Sequence, residues 1–127
     1  MLELRVRTGR RTEARDITRE VIELVRGREG SMLHLFSTHT TCGLLINENA
    51  DPDVMKDLLE AFERLAPRDY GYAHREGNSD AHIKSSLTGH ALTIPFHDGK
   101  PVLGTWQGIF LMEFDGPRER RIILTLV

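Results

Sequence analysis

Two Asp-Gly pairs, Asp98-Gly99 and Asp115-Gly116, punctuate the last third of this 127-residue chain. They separate the runs ALTIPF, PVLGTWQGIFLMEF and RRIILTLV, which are apolar or alternate apolar with polar. Asp-Gly supplies the left-handed backbone that a tight hairpin turn needs, so each pair is expected to reverse the chain between antiparallel strands. No other stretch constrains the fold class as much. Upstream, Leu2, Leu4 and Val6 alternate with charged residues at the period of a half-buried strand. Residues 31–37, SMLHLFS, and 43–47, GLLIN, read as two more strands, for six to eight in all.

Helical signals are fewer. Asp16 can cap a helix running to about residue 27, with Ile17, Val21, Leu24 and Val25 on one face and the Gly27–Gly30 region ending it. Asp51-Pro52 marks a second start, a side-chain cap followed by a proline where the missing N–H costs little. Val54, Leu58, Leu59, Phe62 and Leu65 then recur at helical spacing until Pro67. Residues 66–79, APRDYGYAHREGNS, form a long polar loop of the kind that is functional or disordered in a small domain. Asp80 is expected to cap a short helix, AHIKSSLTG, closed by Gly89. Two or three helices among these strands, with no repeat and no linker, give one domain over residues 1–127. It is α+β and mainly antiparallel.

Charged residues make up 28% and hydrophobic ones 39%, as in an ordinary soluble domain, and the net charge of −2 gives no global pull toward nucleic acid or an anionic membrane. An anion site would have to be local. No apolar run approaches the ~20 residues needed to span a bilayer, and MLELRVRTGRR lacks the apolar core of a signal peptide. One cysteine cannot form an internal disulfide, so a cytoplasmic protein is expected.

The six histidines form no HExxH pair, and there is no CxxC knot. His34 lies in an apolar alternation and reads as a packed or edge-strand residue; His97 lies in a turn and reads as solvated. His39, His74 and His82 each stand at a junction between elements, beside Asp, Glu or Asn. Three imidazoles from separate segments can hold a zinc-like ion with a position open, or can be unrelated surface and capping groups. Cys42 is the tempting nucleophile, but three residues from His39 in an extended chain it faces the other way, and a lone cysteine is usually a small buried hydrophobe. Gly77-Asn78-Ser79-Asp80 could present backbone N–H groups to a phosphate, with Lys84 one turn inside and Ser85 and Ser86 beside it, or could be a loop and a cap. Gly104-Thr105-Trp106-Gln107-Gly108 suggests a bulge, with Trp106 a core or interface anchor. Arg118, Arg120 and Arg121, with Glu119, read as a solvated turn and strand face.

Five segments in order, HTTCGLLINENADPDV, HREGNSDAHIKSSLTG, LTIPFHDGK, LGTWQGIF and EFDGPRERR, resemble the YjbQ-like family over nearly the whole chain. The resemblance implies a compact β-sandwich with helices, assembled as a homotrimer. It implies His39, His74 and His82 as ligands of a divalent metal, zinc first and magnesium as the alternative with a diphosphate substrate. Glu48, Lys84 and Glu113 are the catalytic candidates. Asn47, Gly77, Asn78, Asp80, Ser85, Trp106 and Gln107 are the substrate-binding ones. Two positions depart from the family pattern: Cys42 stands where alanine or serine is usual, and His90 where a small residue is.

That family is described as secondary thiamine-phosphate synthases. The implied reaction joins a pyrimidine carrying a methyl diphosphate to a thiazole phosphate and releases pyrophosphate. Since the thiazole nitrogen is the nucleophile, no covalent protein intermediate is needed. Catalysis would rest on positioning and on charge stabilisation by a divalent ion, Lys84 and the backbone amides near Gly77–Asp80. Two other readings share these residues. One is a trimeric small-ligand-binding or regulatory protein with a structural metal. The other is a metal-dependent hydrolase with Glu48 or Glu113 as base.

Overall fold

A computed structural model describes all residues, 1–127. Its elements run β1 (Leu2–Arg7), β2 (Glu13–Asp16), α1 (Thr18–Val25), β3 (Met32–Ser37), β4 (Cys42–Glu48), α2 (Pro52–Leu65), α3 (Ser79–Thr88), β5 (Ala91–His97), β6 (Lys100–Pro101), β7 (Gln107–Glu113) and β8 (Glu119–Leu126). The strands make a five-stranded sheet, ordered β1-β8-β3-β5-β6, and a three-stranded one, β2-β7-β4. Every pairing is antiparallel, as the turn chemistry and alternation led us to expect.

The two sheets face each other over the main core. Val6, Leu33, Leu35 and Ile122 enter from the larger sheet, Leu44, Ile109 and Leu111 from the smaller, and Val21 and Val25 of α1 fill one side. Burying each such side chain contributes roughly 1.5–3 kcal/mol before chain entropy is counted. The smaller sheet is covered on its other face as well. There Phe110, Met112 and Phe114 pack against Met55 of α2 and Ala81 of α3. Because β7 is buried on both faces, its sequence is apolar without alternation. Phe62 of α2 meets Phe114 edge-on, with ring centroids 5.6 Å apart.

Helix α3 lies on β4 at Gly43. A Cβ there would overlap the Thr88 side chain and stand 2.9 Å from the Gly89 carbonyl oxygen, so only glycine admits the helix this closely. Helix α2 begins as its sequence indicates, with the Asp51 carboxylate accepting from the Asp53 amide at 2.9 Å. The cap position of α1 falls to Ile17 rather than to Asp16, whose carboxylate accepts from the Thr18 amide at 2.9 Å from one residue further out.

Four further local expectations are corrected. Asp98-Gly99 does close a hairpin, His97 pairing with Lys100, but Asp115-Gly116 does not. Strand β7 pairs with β2 and β4 while β8 pairs with β1 and β3, so the second Asp-Gly carries the chain from one sheet to the other. Strand β2 was not anticipated. Asp80 is not the cap of α3: Asn78 occupies that position, and Asp80 sits inside the first turn, fully buried. Arg120 is not a solvated residue but is 1% exposed, facing inward from β8.

Candidate functional site

A cluster of charged side chains, two of them buried, lies where α3 meets α2 and the β1–β2 connection. Asp80 has no exposed side-chain surface, yet it accepts from both terminal guanidinium nitrogens of Arg11, at 3.1 and 3.3 Å, and from the Lys84 ammonium at 2.8 Å. Lys84 follows Asp80 by one helical turn, which brings the two side chains to the same face. Burial pushes the Asp80 pKa up, but Arg11 and Lys84 outweigh it and hold the carboxyl below its ordinary range. Lys84 Nζ also donates to Glu63 Oε1 at 2.6 Å, from a side chain 2% exposed to one 51% exposed. That contact is the main reason the Glu63 carboxyl is held below its usual value.

This cluster opens on a cavity of about 430 Å³ between α2 and α3. Arg11, Lys84 and Arg68 supply its positive charge, and Phe62, Leu59 and Phe114 its apolar wall. Of the sequence candidates, the structure places Lys84 and Asp80 here. Arg11, Glu63 and Arg68 were missed, because each is a common surface residue type in a segment with no motif.

The histidines do not converge as the ligand set requires. His74 and His82 meet with ring centroids 5.4 Å apart, one edge toward the other face. His39 is committed elsewhere: its Nε2 accepts the Arg121 backbone amide at 2.8 Å. An imidazole that accepts at Nε2 carries its proton on Nδ1, leaving no lone pair for a metal. Burial, and then Arg120, push the His39 pKa down, which keeps the ring in that neutral form. No group of three His, Cys, Asp or Glu side chains in one chain is placed to hold an ion. The three-histidine set therefore does not fit a shared metal in this arrangement.

Glu113 is not placed as a free base. Its Oε1 accepts from Thr8 Oγ1 and Arg120 Nε, both at 2.8 Å, and its Oε2 from the Asp115 amide and the Arg120 guanidinium. Cys42 is buried in the main core, near Ser37 Oγ at 3.4 Å, and burial raises its thiol pKa. Ser85 is also buried, donating to the Thr40 and His82 carbonyls. Asn78 donates to Asp115, and Gly77 is exposed before α3 with a φ of +80°. Asn47 and Glu48 lie at the far end of β4. Asn47 Oδ1 accepts the Glu48 amide, while Glu48 lines a separate cavity of about 440 Å³ with Arg10, Lys56 and Met55. Gln107 accepts from the Gly104 amide and closes that turn, and Trp106 is 64% exposed, so it is no core anchor.

A two-sheet antiparallel sandwich backed on one side by two helices, with a charged cavity in the helix seam, defines a small α+β domain of one compact unit. Residues 2–127 match the family described as UPF0047 protein YjbQ-like, and the chain belongs to that family. It is similar to a UPF0047 protein of Methanocaldococcus jannaschii, 45% identical over 100% of this chain and 94% of that one. A second relative is the UPF0047 protein YugU of Bacillus subtilis, 42% identical over 98% and 96%. Among solved structures, a conserved hypothetical protein of Thermus thermophilus superposes with a TM-score of 0.95 at 44% identity, covering both chains fully. A YjbQ/UPF0047 protein of Clostridium acetobutylicum gives 0.94 at 43%, also over both full lengths.

Proposed function

We propose that the chain binds a small phosphorylated substrate in the Lys84 cavity, and that the reaction it suits is group transfer of the thiamine-phosphate synthase type. The observation that carries this reading is the Lys84 ammonium, 2% exposed at a cavity shared with Arg11 and Arg68, in a chain of net charge −2. The other buried cation, Arg120, is taken up by Glu113 and Thr41. The apolar wall of Leu59, Phe62 and Phe114 suits a heterocyclic ring.

In that reaction a thiazole nitrogen attacks the methylene carbon of the pyrimidine. The carbon–oxygen bond breaks, and pyrophosphate departs with the electron pair. Lys84, Arg11 and Arg68 would bear the developing charge, with Asp80 holding Lys84 and Arg11 in position. Because the histidine set does not fit a shared ion here, that charge falls to these three cations. The test is to incubate the protein with both substrates and follow pyrophosphate release and product. The expected result is turnover, reduced at least ~100-fold by Lys84→Met, the scale of removing a charge-stabilising donor. Absence of both products at millimolar substrate sinks the transferase reading.

The homotrimer belongs to the same reading. Met32 and Phe36, 37% and 45% exposed, lie on the outer face of the larger sheet, which none of the chain's helices covers. A second copy packed there would bury them.

A further inference from the structure

The binding of Glu63 is that of a free oxyanion. Its Oε1 receives the Lys84 ammonium at 2.6 Å and its Oε2 the Arg68 backbone amide at 3.0 Å, so a charged donor and a neutral donor clasp the two oxygens. Lys84 is buried whereas half of the Glu63 side chain is in solvent, at the mouth of the 430 Å³ cavity. Charge counting explains why an anion is wanted at that point. Buried Asp80 and Lys84, with Arg11 at 22% exposure, make a trio of two cations and one anion, hence a net +1 that a further negative group offsets. Glu63 supplies it in the resting chain.

We infer that the Lys84 ammonium and the Arg68 amide form a phosphoryl-binding site, and that the Glu63 carboxylate occupies it until a ligand phosphate displaces it. This rests on the phosphorylated-substrate reading of the Lys84 cavity and adds how that site is held closed. Glu63 is suited to leave. It stands in the last turn of α2, where the helix carbonyls disfavour a negative side chain, and its flexible stem can swing into water. Asp80 is not suited, since Arg11 grips both its oxygens and it has no exposed surface. The exchange is noncovalent: phosphate takes the two donors, Glu63 becomes solvated, and the buried charge stays balanced.

The experiment is calorimetric titration of inorganic phosphate into the wild-type chain, Glu63→Gln and Glu60→Gln, each first shown to unfold like wild type. Glu60 lines the same cavity without touching Lys84 or the Arg68 amide, so it reports the general effect of removing a nearby negative charge. Glu63→Gln is expected to bind phosphate at least ~10-fold more tightly than wild type, and several-fold more tightly than Glu60→Gln. Equal phosphate affinity in wild type and Glu63→Gln, or an equal gain in Glu60→Gln, overturns the displacement while leaving the phosphate cavity standing. If no variant binds phosphate at tens of millimolar, the displacement and the reading beneath it both fall.

Discussion

Arg120 and Glu113 reach each other through the interior of the sandwich, one from each sheet, with the Arg120 Nε 2.8 Å from Glu113 Oε1. Their side chains are 1% and 0% exposed. Arg120 also donates to the Thr41 hydroxyl and carbonyl, and Glu113 accepts from Thr8, so the β1–β2 and β3–β4 connections are tied to the same point. Removing one member leaves the other charged and unpaired in the core. Arg120→Met is therefore expected to lose ~3–5 kcal/mol of stability in urea unfolding. A loss below ~1 kcal/mol, the scale of a surface pair, would show that the pair is not the strut its burial indicates.

Cys42 illustrates how burial decides reactivity. Its thiol packs among Leu44, Ile109 and Leu111 and titrates above the ordinary value, so at neutral pH it is neither a thiolate nor accessible. The native chain is expected to resist a thiol reagent at pH 8 and to react once unfolded. Cys42→Ala should keep most of whatever activity is assayed. Rapid labelling of the folded chain would contradict this placement.

His39 is expected in the Nδ1–H tautomer, with Nε2 unprotonated against the Arg121 amide. Two-bond nitrogen–proton NMR reads this directly. Zinc added in excess should perturb His74 and His82 before His39. The pH sign follows from the lowered pKa, caused by burial and then Arg120. Below about 6.5 the unfolded chain takes up a proton that the folded ring refuses, so this contribution is present above that pH and fades below it. A His39→Gln chain whose stability falls just as steeply between pH 6.5 and 5 would remove His39 as the cause.

How much of this was legible in the sequence varies with how local the cause is. The Asp51-Pro52 start of α2 and the Asp98-Gly99 hairpin were readable because a cap and a turn are set by adjacent residues. Strand β2, EARD, was not: it is four residues at a sheet edge with no apolar alternation to mark it. Asp115-Gly116 has the same turn chemistry as Asp98-Gly99, and only the partners of β7 and β8 make it a crossing between sheets. In the site, Asp80 and Lys84 are one turn apart on one helix and were singled out. Arg11, Glu63 and Arg68 reach them from distant segments, and nothing local distinguishes these from ordinary surface charges.

Asp80 predicts the acid limb of stability. Burial raises its pKa, while Arg11 and Lys84 lower it by more, so the folded value lies below the unfolded one. The stabilisation is fully present above the ordinary aspartate range, near 3.9, and is lost as pH falls through the lower folded value. Glu63 adds in the same direction, but half exposed and screened by water it contributes less. Asp80→Asn, if foldable, should be less stable at pH 7 and show a flatter decline between pH 5 and 2. An unchanged acid slope would place the acid-sensitive group elsewhere. Asp80→Glu, which keeps the charge, serves as the comparison.

The outer face of the larger sheet tests the assembly. Phe36 on β3 stands beside Ile123 on β8 and Ala91 on β5, and Met32 stands beside Pro95, so apolar groups run across three adjacent strands. On the opposite side of the molecule, α2 and α3 cover the smaller sheet; here no element of the chain does the same. At the β1 end the face becomes charged, with Glu3, Arg5 and Arg121 joined in ion pairs. An apolar stripe with a charged margin is the pattern of a protein–protein contact rather than of a free surface. Phe36→Glu places a carboxylate in the centre of that stripe, where a packed copy would have to desolvate it. Light scattering at micromolar concentration is expected to give three chains for the wild type and one for Phe36→Glu, with the monomer's fold unchanged by circular dichroism. A wild-type monomer would end the trimer reading. A Phe36→Glu chain that stays trimeric would move the contact to another face, with the sheet edges at β2 and β4 as the next candidates.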